Sequence, residues 1–273
     1  RQLGFISLLC LAAQRKGMFI IMNTDLYLKR INFQGEPKTD YATLKQLQYK
    51  HFLSVPYENI DIIAKKPLKL DSESLFNKIV LDRRGGYCFE LNGAFGSLLR
   101  ALGFSVTDCM ARFLKGENKI PMRRHRVLKT QCDDGIFLCD VGVGIVSPYY
   151  PVKLDFDEIQ QIGNEQYKLT RDDFFGTVLH QCYEGVWDRF FAFTEEPQLD
   201  IDYIMPSFYC ENHPQSIFNK EDMLAILSPF GGKNTVSGAN FSYWDKNGKH
   251  KTIIENEKMR KEIFLEFFGI DLR

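Results

Sequence analysis

The sequence predicts an α+β protein, on three observations. Up to about residue 103, apolar residues recur at helical spacing, as in Leu91, Phe95, Leu98, Leu99 and Leu102. From Phe104 the pattern changes to residue-by-residue alternation, which a strand covered on one face by a core requires. After residue 205, short alternating runs are mixed with helical stretches. At 273 residues the chain can bury a large core, divided among two or three packed subdomains.

Taken in order, residues 22–103 read as helical. Asp25 to Ile31 and Thr43 to Phe52 are helices, Val55 to Ile60 is a turn, and Ser72 to Val80 is a third helix with Asp71 or Ser72 as N-cap. A further helix begins near Cys88, and Gly103 stops it. In the span 104–205, strands are predicted at Val106 to Leu114, His125 to Gln131, Ile136 to Val143, Tyr167 to Leu169, Val178 to Tyr183 and Arg189 to Phe193. Turn residues separate them, so this is a sheet or barrel of about six strands. Pro197 to Pro206 reads as a connector. In 206–273, Asn219 to Leu224 and Asn256 to Phe268 read as helices, with strands at Asn240 to Trp244 and Lys251 to Ile254. Residues 1–21 hold a short apolar run, Phe5 to Ala13, too short to span a bilayer, and read as a leader or appended extension.

Composition narrows the classes of partner. The 35 Lys and Arg balance the 35 Asp and Glu, so no global charge argues for nucleic acid or an anionic membrane. The 23 Phe and 12 Tyr suit a core with an aromatic-lined cleft for a small molecule. Seven Cys without paired spacing argue against a disulfide framework and against a metal site, and a reducing cytoplasm fits best.

The stretch Arg83 to Asn92 is the strongest candidate for chemistry. Two glycines and Tyr-Cys form a tight loop running into a helix, with Cys88 on the inward stripe one turn before Leu91. A thiol at a helix N-terminus lies among free N–H groups and the dipole, which favour the thiolate and can donate to an oxyanion forming beside it. A small buried core cysteine is the alternative reading. Charge in so apolar a loop needs a partner, and Glu58 is the carboxylate predicted for Arg84.

A thiol nucleophile needs a base and a carboxylate to orient the base. His125 opens one predicted strand and Asp140 lies near the end of the next. If Asp134-Gly135 is the turn, Asp140 opposes Lys129; if the loop centres on Cys132-Asp133, it opposes His125. Both registers place His125 and Asp140 on one face, whereas an unbulged odd-residue loop separates them. His51, His180, His213 and His250 read as structural or solvated. Asn92, one turn after Cys88, is placed to hydrogen-bond Asp140.

These residues resemble the arylamine N-acetyltransferase family. Its signature Arg-Gly-Gly-Tyr-Cys-Phe-Glu-x-Asn is matched at Arg84 to Asn92, and its histidine ends a Pro-x-x-x-His run at Pro121 to His125. The likeness continues in Val55 to Ile60, Asp140 to Gly144, His213 to Phe218 and Phe268 to Ile270, and covers the chain from about Met22 onward. The resemblance implies a helical bundle carrying the nucleophile (22–103), a β-barrel (104–205) and an α/β lid (206–273), with a papain-like core of Cys88, His125 and Asp140. It implies double displacement: Cys88 takes acetyl from acetyl-CoA, and the thioester passes it to an arylamine, arylhydrazine or N-hydroxyarylamine, with no metal. The family's Gly-x-Gly loop lies beside the acyl donor, which makes Gly142, Val143 and Gly144 candidates for contact with acetyl-CoA.

Two departures bear on specificity. Val143 stands where the family commonly has Phe, which removes an aromatic wall. Arg123, Arg124 and Arg126 form a cationic cluster that suits either the CoA phosphates, with Arg124 as candidate, or a solvated strand edge. Two other readings compete: another thiol acyltransferase or peptidase on the same core, and a ligand-binding relative without activity.

Overall fold

The computed structural model describes residues 22–272, so the assignment of residues 1–21 lies outside it. The first helices form where the caps allow. Helix α1 (Thr24–Arg30) starts as the Asn23 side chain accepts from the Leu26 N–H at 3.0 Å, and α2 (Tyr41–Ser54) starts as Asp40 accepts from Thr43 at 2.8 Å. After α2 come a two-residue strand β1 (Tyr57–Glu58) and one turn of helix, α3 (Ile60–Ile63), where the sequence suggested only a turn. Helix α4 (Ser72–Phe76), capped by Asp71, widens into π-helical turns over Asn77–Leu81.

Helix α5 (Cys88–Ala101) is the axis of this region. Its stripe of Leu91, Ala94, Phe95, Leu98 and Leu99 is buried against Tyr27, Leu44, Leu47, Leu75 and Ile79. The helix–helix packing follows directly from the 3.6-residue period read in the sequence.

The alternating region forms eight antiparallel strands rather than six: β2 (Ser105–Phe113), β3 (His125–Cys132), β4 (Gly135–Cys139), β5 (Val152–Lys153), β6 (Gln160–Ile162), β7 (Glu165–Asp172), β8 (Gly176–Tyr183) and β9 (Val186–Phe193). Their order is β5-β4-β3-β2-β9-β8-β7-β6, a nearly closed barrel whose edge strands β5 and β6 approach each other. Val127, Leu138, Leu169, Leu179 and Phe191 fill its interior. The two added strands are too short for alternation to register in sequence.

Two assignments after the barrel are overturned. Part of the supposed connector is helix α6 (Ile204–Asn212), entered through a 3₁₀ turn at Asp200–Tyr203. Pro206 is tolerated because the first four helical N–H groups have no intrahelical acceptor in any case. The helix expected over Asn219 to Leu224 is instead a turn leading into β10 (Met223–Leu227). That strand lies between β1 and β11 (Lys233–Ser237), followed by β12 (Asn240–Asp245) and β13 (Gly248–Ile253), in the order β1-β10-β11-β12-β13. Helix α7 (Glu257–Phe268), capped by Asn256, buries Ile263, Phe264 and Phe268 against Leu224, Val236 and Phe241 of this sheet. Because β1 belongs to the N-terminal segment, this sheet brings residues of both chain ends beside α5. No helix among the described residues is long and apolar enough to cross a membrane.

Candidate active site

The loop before α5 is held from beneath. Glu58 donates its backbone N–H to the Gly86 carbonyl at 2.9 Å. A Cβ on Gly85 would fall 1.9 Å from the Pro56 carbonyl oxygen, so glycine is required for that approach. Arg84 donates to Glu58 through Nε (3.1 Å) and Nη2 (2.7 Å), as its sequence context predicts. The pair belongs to a larger network: Lys78 Nζ lies 2.7 Å from both Glu90 and Asp61, and Arg84 is 3.3 Å from Asp61. Burial works against the Lys78 charge, but Glu90, Glu58 and Asp61 together hold its ammonium above the ordinary range. The other oxygen of Glu90 accepts from the Tyr87 N–H at 3.2 Å, so one carboxylate both anchors the network and caps the first turn of α5. Tyr87 in turn donates its hydroxyl to Ser207 on α6 at 2.6 Å, and Ser207 donates onward to Glu211.

Cys88 is buried at the head of α5. Its thiol donates to the Arg124 carbonyl at 3.7 Å, a contact that serves the protonated sulfur. Burial pushes the thiol well above its ordinary value and Cys210 and Asp140 add to this, while a hydrogen bond from the Phe89 backbone opposes it.

The β3–β4 hairpin has neither register considered above. Cys132 pairs with Gly135 and Leu128 with Cys139, so Asp133-Asp134 is the turn. The ladder continued one step would set Asp140 opposite Val127. That intermediate register preserves the same parity, and His125 and Asp140 share a face. His125 Nε2 donates to Asp140 Oδ2 at 2.9 Å, since a carboxylate can only accept, and this leaves Nδ1 on the far side of the ring. Phe191 packs edge-on against the imidazole at 5.5 Å between centroids. Asp140 Oδ1 accepts from Asn92 Nδ2 at 2.8 Å and from the Gly142 N–H at 2.7 Å. Asn92 also donates to the Arg126 carbonyl (2.6 Å) and accepts from the Val141 N–H (2.9 Å), tying α5 to both strands of the hairpin. The Asn92–Asp140 contact is the one anticipated from sequence.

Cys88, His125, Arg124, Gly142, Val143 and Gly144 border one cavity of about 450 Å³. A Cβ on Gly142 would come 2.8 Å from Cys88 Cα, so the absent side chain is what lets this loop lie against the sulfur-bearing turn. The remaining walls are largely apolar, from Phe113, Ile217, Phe218, Met223, Leu224 and Val236. Asn59 holds the 218–223 wall in place, donating to the Phe218 and Glu221 carbonyls at 2.8 Å each and accepting from Met223 at 2.7 Å. Of the three clustered arginines, Arg124 reaches the cavity, where its guanidinium lies 5.8 Å from the Phe218 ring centre. Arg126 instead is buried, donating to Asp108 (2.7 Å) and Asp200 (2.9 Å) and stacked on Tyr203, which removes it from any phosphate-binding role. The other histidines lie elsewhere, with His51 buried against Tyr27 and His250 paired with Asp245. No group of three or more His, Cys, Asp or Glu placed to hold a metal occurs among the described residues. Sequence reasoning missed Tyr57 and Met223 as cavity residues. Tyr57 lay inside a matched motif, Val55 to Ile60, and that was the available signal.

Bundle, barrel and small sheet converge on a cavity lined by Cys88 and His125, the thiol and imidazole that nucleophilic catalysis uses. Comparison with known proteins narrows the class. Residues 40–273 match the family model described as N-acetyltransferase. The chain is 33% identical over 252 residues to an arylamine N-acetyltransferase of Mycolicibacterium smegmatis, covering 90% of this chain and 91% of that protein. It is 33% identical over 222 residues to one from Escherichia coli, covering 80% and 78% respectively. The solved structure of the Mycobacterium marinum arylamine N-acetyltransferase in complex with CoA superposes with a TM-score of 0.82 at 29% identity, over 91% of this chain and 93% of that one. The chain belongs to the arylamine N-acetyltransferase family and is a transferase.

Proposed function

We propose that the protein transfers the acetyl group of acetyl-CoA to the nitrogen of arylamines and arylhydrazines, and to N-hydroxyarylamines, through an acetyl thioester on Cys88. The observation that carries this reading is His125, which lines the same cavity as Cys88 and is paired at 2.9 Å with Asp140 behind it. A buried thiol does not ionise readily by itself, so the proton has to move to His125 as the sulfur attacks. Nδ1 is the nitrogen free to take it, and Asp140 supports the imidazolium through Nε2.

The first half-reaction forms the Cys88–acetyl bond and breaks the acetyl–CoA bond, and CoA leaves as the thiol, taking the proton from His125 so that the imidazole is neutral again. The amine then attacks the thioester, loses a proton to His125 and departs acetylated, and Cys88 is restored. Gly142, Val143 and Gly144 would border the acyl donor, and Arg124 would place a cation near its anionic portion. That a related structure holds CoA supports a site of this kind. The described cysteines are all free, which supports a reducing compartment such as the cytoplasm.

Intact-protein mass spectrometry after mixing with acetyl-CoA tests the reading. Wild type gains one acetyl group, which an arylamine then removes, and Cys88→Ser gains none. Absence of the increment in wild type, or its retention in the serine variant, overturns the assignment.

A further inference from the structure

Helix α6 and the 3₁₀ turn that leads into it form one rod, Asp200 to Asn212, with two unlike faces. Tyr203, Ser207 and Cys210, at helical spacing, are buried toward the loop that carries Cys88. The Tyr203 and Phe89 ring centres lie 5.4 Å apart, and Ser207 holds the Tyr87 hydroxyl at 2.6 Å. Ile201, Ile204, Met205 and Phe208 recur at the same spacing on the other face, and with Leu199 at the entry each is 55–77% exposed. Single apolar residues are ordinary on a surface, but a contiguous stripe of large ones marks a contact.

The ends of the rod differ in charge. Glu196 and Asp202 are exposed at its start, and Asp202 is held against Leu199 by accepting its N–H at 2.7 Å. At the far end Glu211, one turn past Phe208, accepts from the Leu68 N–H at 3.1 Å, which sets exposed Lys65, Lys66 and Lys69 alongside. Glu211 is further occupied by the Ser207 hydroxyl at 2.7 Å.

We infer that this face is the contact between two copies of the chain, packed with their α6 helices antiparallel across a twofold axis. A twofold contact needs a surface that complements itself. Reversed on its own image, the acidic start of one helix meets the lysines at the end of the other, twice, while the apolar stripes meet in the middle. A parallel arrangement would set like charges together, and antiparallel packing also opposes the helix dipoles. The apolar face amounts to several hundred Å², most of the roughly 800 Å² per subunit that a stable interface buries, and the charged ends supply the rim. A bilayer with anionic headgroups would repel one end of the same rod. None of the five apolar residues borders the Cys88 cavity, and the pairing is independent of the acetyl-transfer reading.

Sedimentation velocity on the full chain, from about 1 to 100 µM, provides the test, and wild type should be dimeric within that range. Met205→Asp, at the middle of the stripe, sets two carboxylates against each other in the apolar contact and should raise the dimer Kd by about 100-fold or more. Its circular dichroism and melt should match the monomeric form, since the side chain is exposed. Lys66→Glu with Lys69→Glu leaves the stripe intact and should weaken the dimer about tenfold at low salt, an effect that high salt removes. Adding Glu196→Lys to that pair should recover part of the loss, because the two ends are then exchanged in sign. A dimer indifferent to Met205→Asp overturns the inference, because its contact lies elsewhere. A wild type still monomeric at about 100 µM also overturns it. Pelleting with phosphatidylcholine vesicles would then assign the face to a lipid surface, and dimerisation only after removal of residues 1–21 would assign it to the chain's own N-terminal stretch.

Discussion

Replacing Asn92 with alanine isolates the joint on which the site depends. Asn92 is fully buried and makes three hydrogen bonds at 2.6–2.9 Å, to the Arg126 carbonyl, the Asp140 carboxylate and the Val141 N–H. Alanine leaves the Val141 N–H and the Arg126 carbonyl without these partners in surroundings where water does not replace them. Each such loss costs about 1–3 kcal/mol, so Asn92→Ala is destabilised by roughly 2–6 kcal/mol. In a chain of this length 1 kcal/mol moves Tm by about 2–4 °C, and the melt falls by roughly 4–24 °C. Asp140 is not orphaned, because Gly142 still donates to Oδ1 at 2.7 Å and His125 to Oδ2 at 2.9 Å. The carboxylate loses its fixed distance to α5, however, and with it the alignment of His125 toward Cys88. A misplacement of about 1 Å costs on the order of 10²-fold in rate. Thermal melts and single-turnover acetyl transfer measure the two effects separately. A variant that melts within about 2 °C of wild type and transfers acetyl at the wild-type rate would show that Asn92 fills space and positions nothing.

Two further outcomes follow from charge. Arg84→Met strips buried Glu58 of two hydrogen bonds and leaves Lys78 alone among three carboxylates, so denaturant unfolding should show a loss of about 3–5 kcal/mol, and a loss below about 1 kcal/mol refutes the network. In His125→Gln the thiol keeps its burial and loses its base. Because burial raises the Cys88 thiol, a given pH then yields less thiolate, and alkylation by iodoacetamide should rise only at pH values above the ordinary thiol range, while wild type reacts at lower pH; superimposable profiles sink the idea.

What the sequence determined by itself was local. The 3.6-residue stripe behind Cys88 defines α5 and its buried face, and Asp71 marks a helix start because its side chain accepts from the N–H three residues on, a contact that needs no distant partner. Alternation likewise located the longer barrel strands. Parity placed His125 and Asp140 on one face whichever even turn closed the hairpin, and a buried charge in an apolar loop was enough to pair Arg84 with Glu58.

Tertiary structure decided what depends on residues far apart in the chain. Met223 and Leu224 read locally as the end of a helix, but β1, more than 160 residues earlier, offers a free edge with which only a strand can pair. Arg126 resembles its two arginine neighbours until Asp108 and Asp200 converge on it, and that convergence buries it while Arg124 faces the cavity. Tyr57 is one aromatic among twelve tyrosines until β10 and the Gly86 bridge set its ring beside Cys88. The ionisation of Cys88 was also beyond local reasoning. The helix N-terminus is visible in sequence, whereas the desolvation that raises the thiol comes from everything packed around the sulfur, and only the folded chain supplies that.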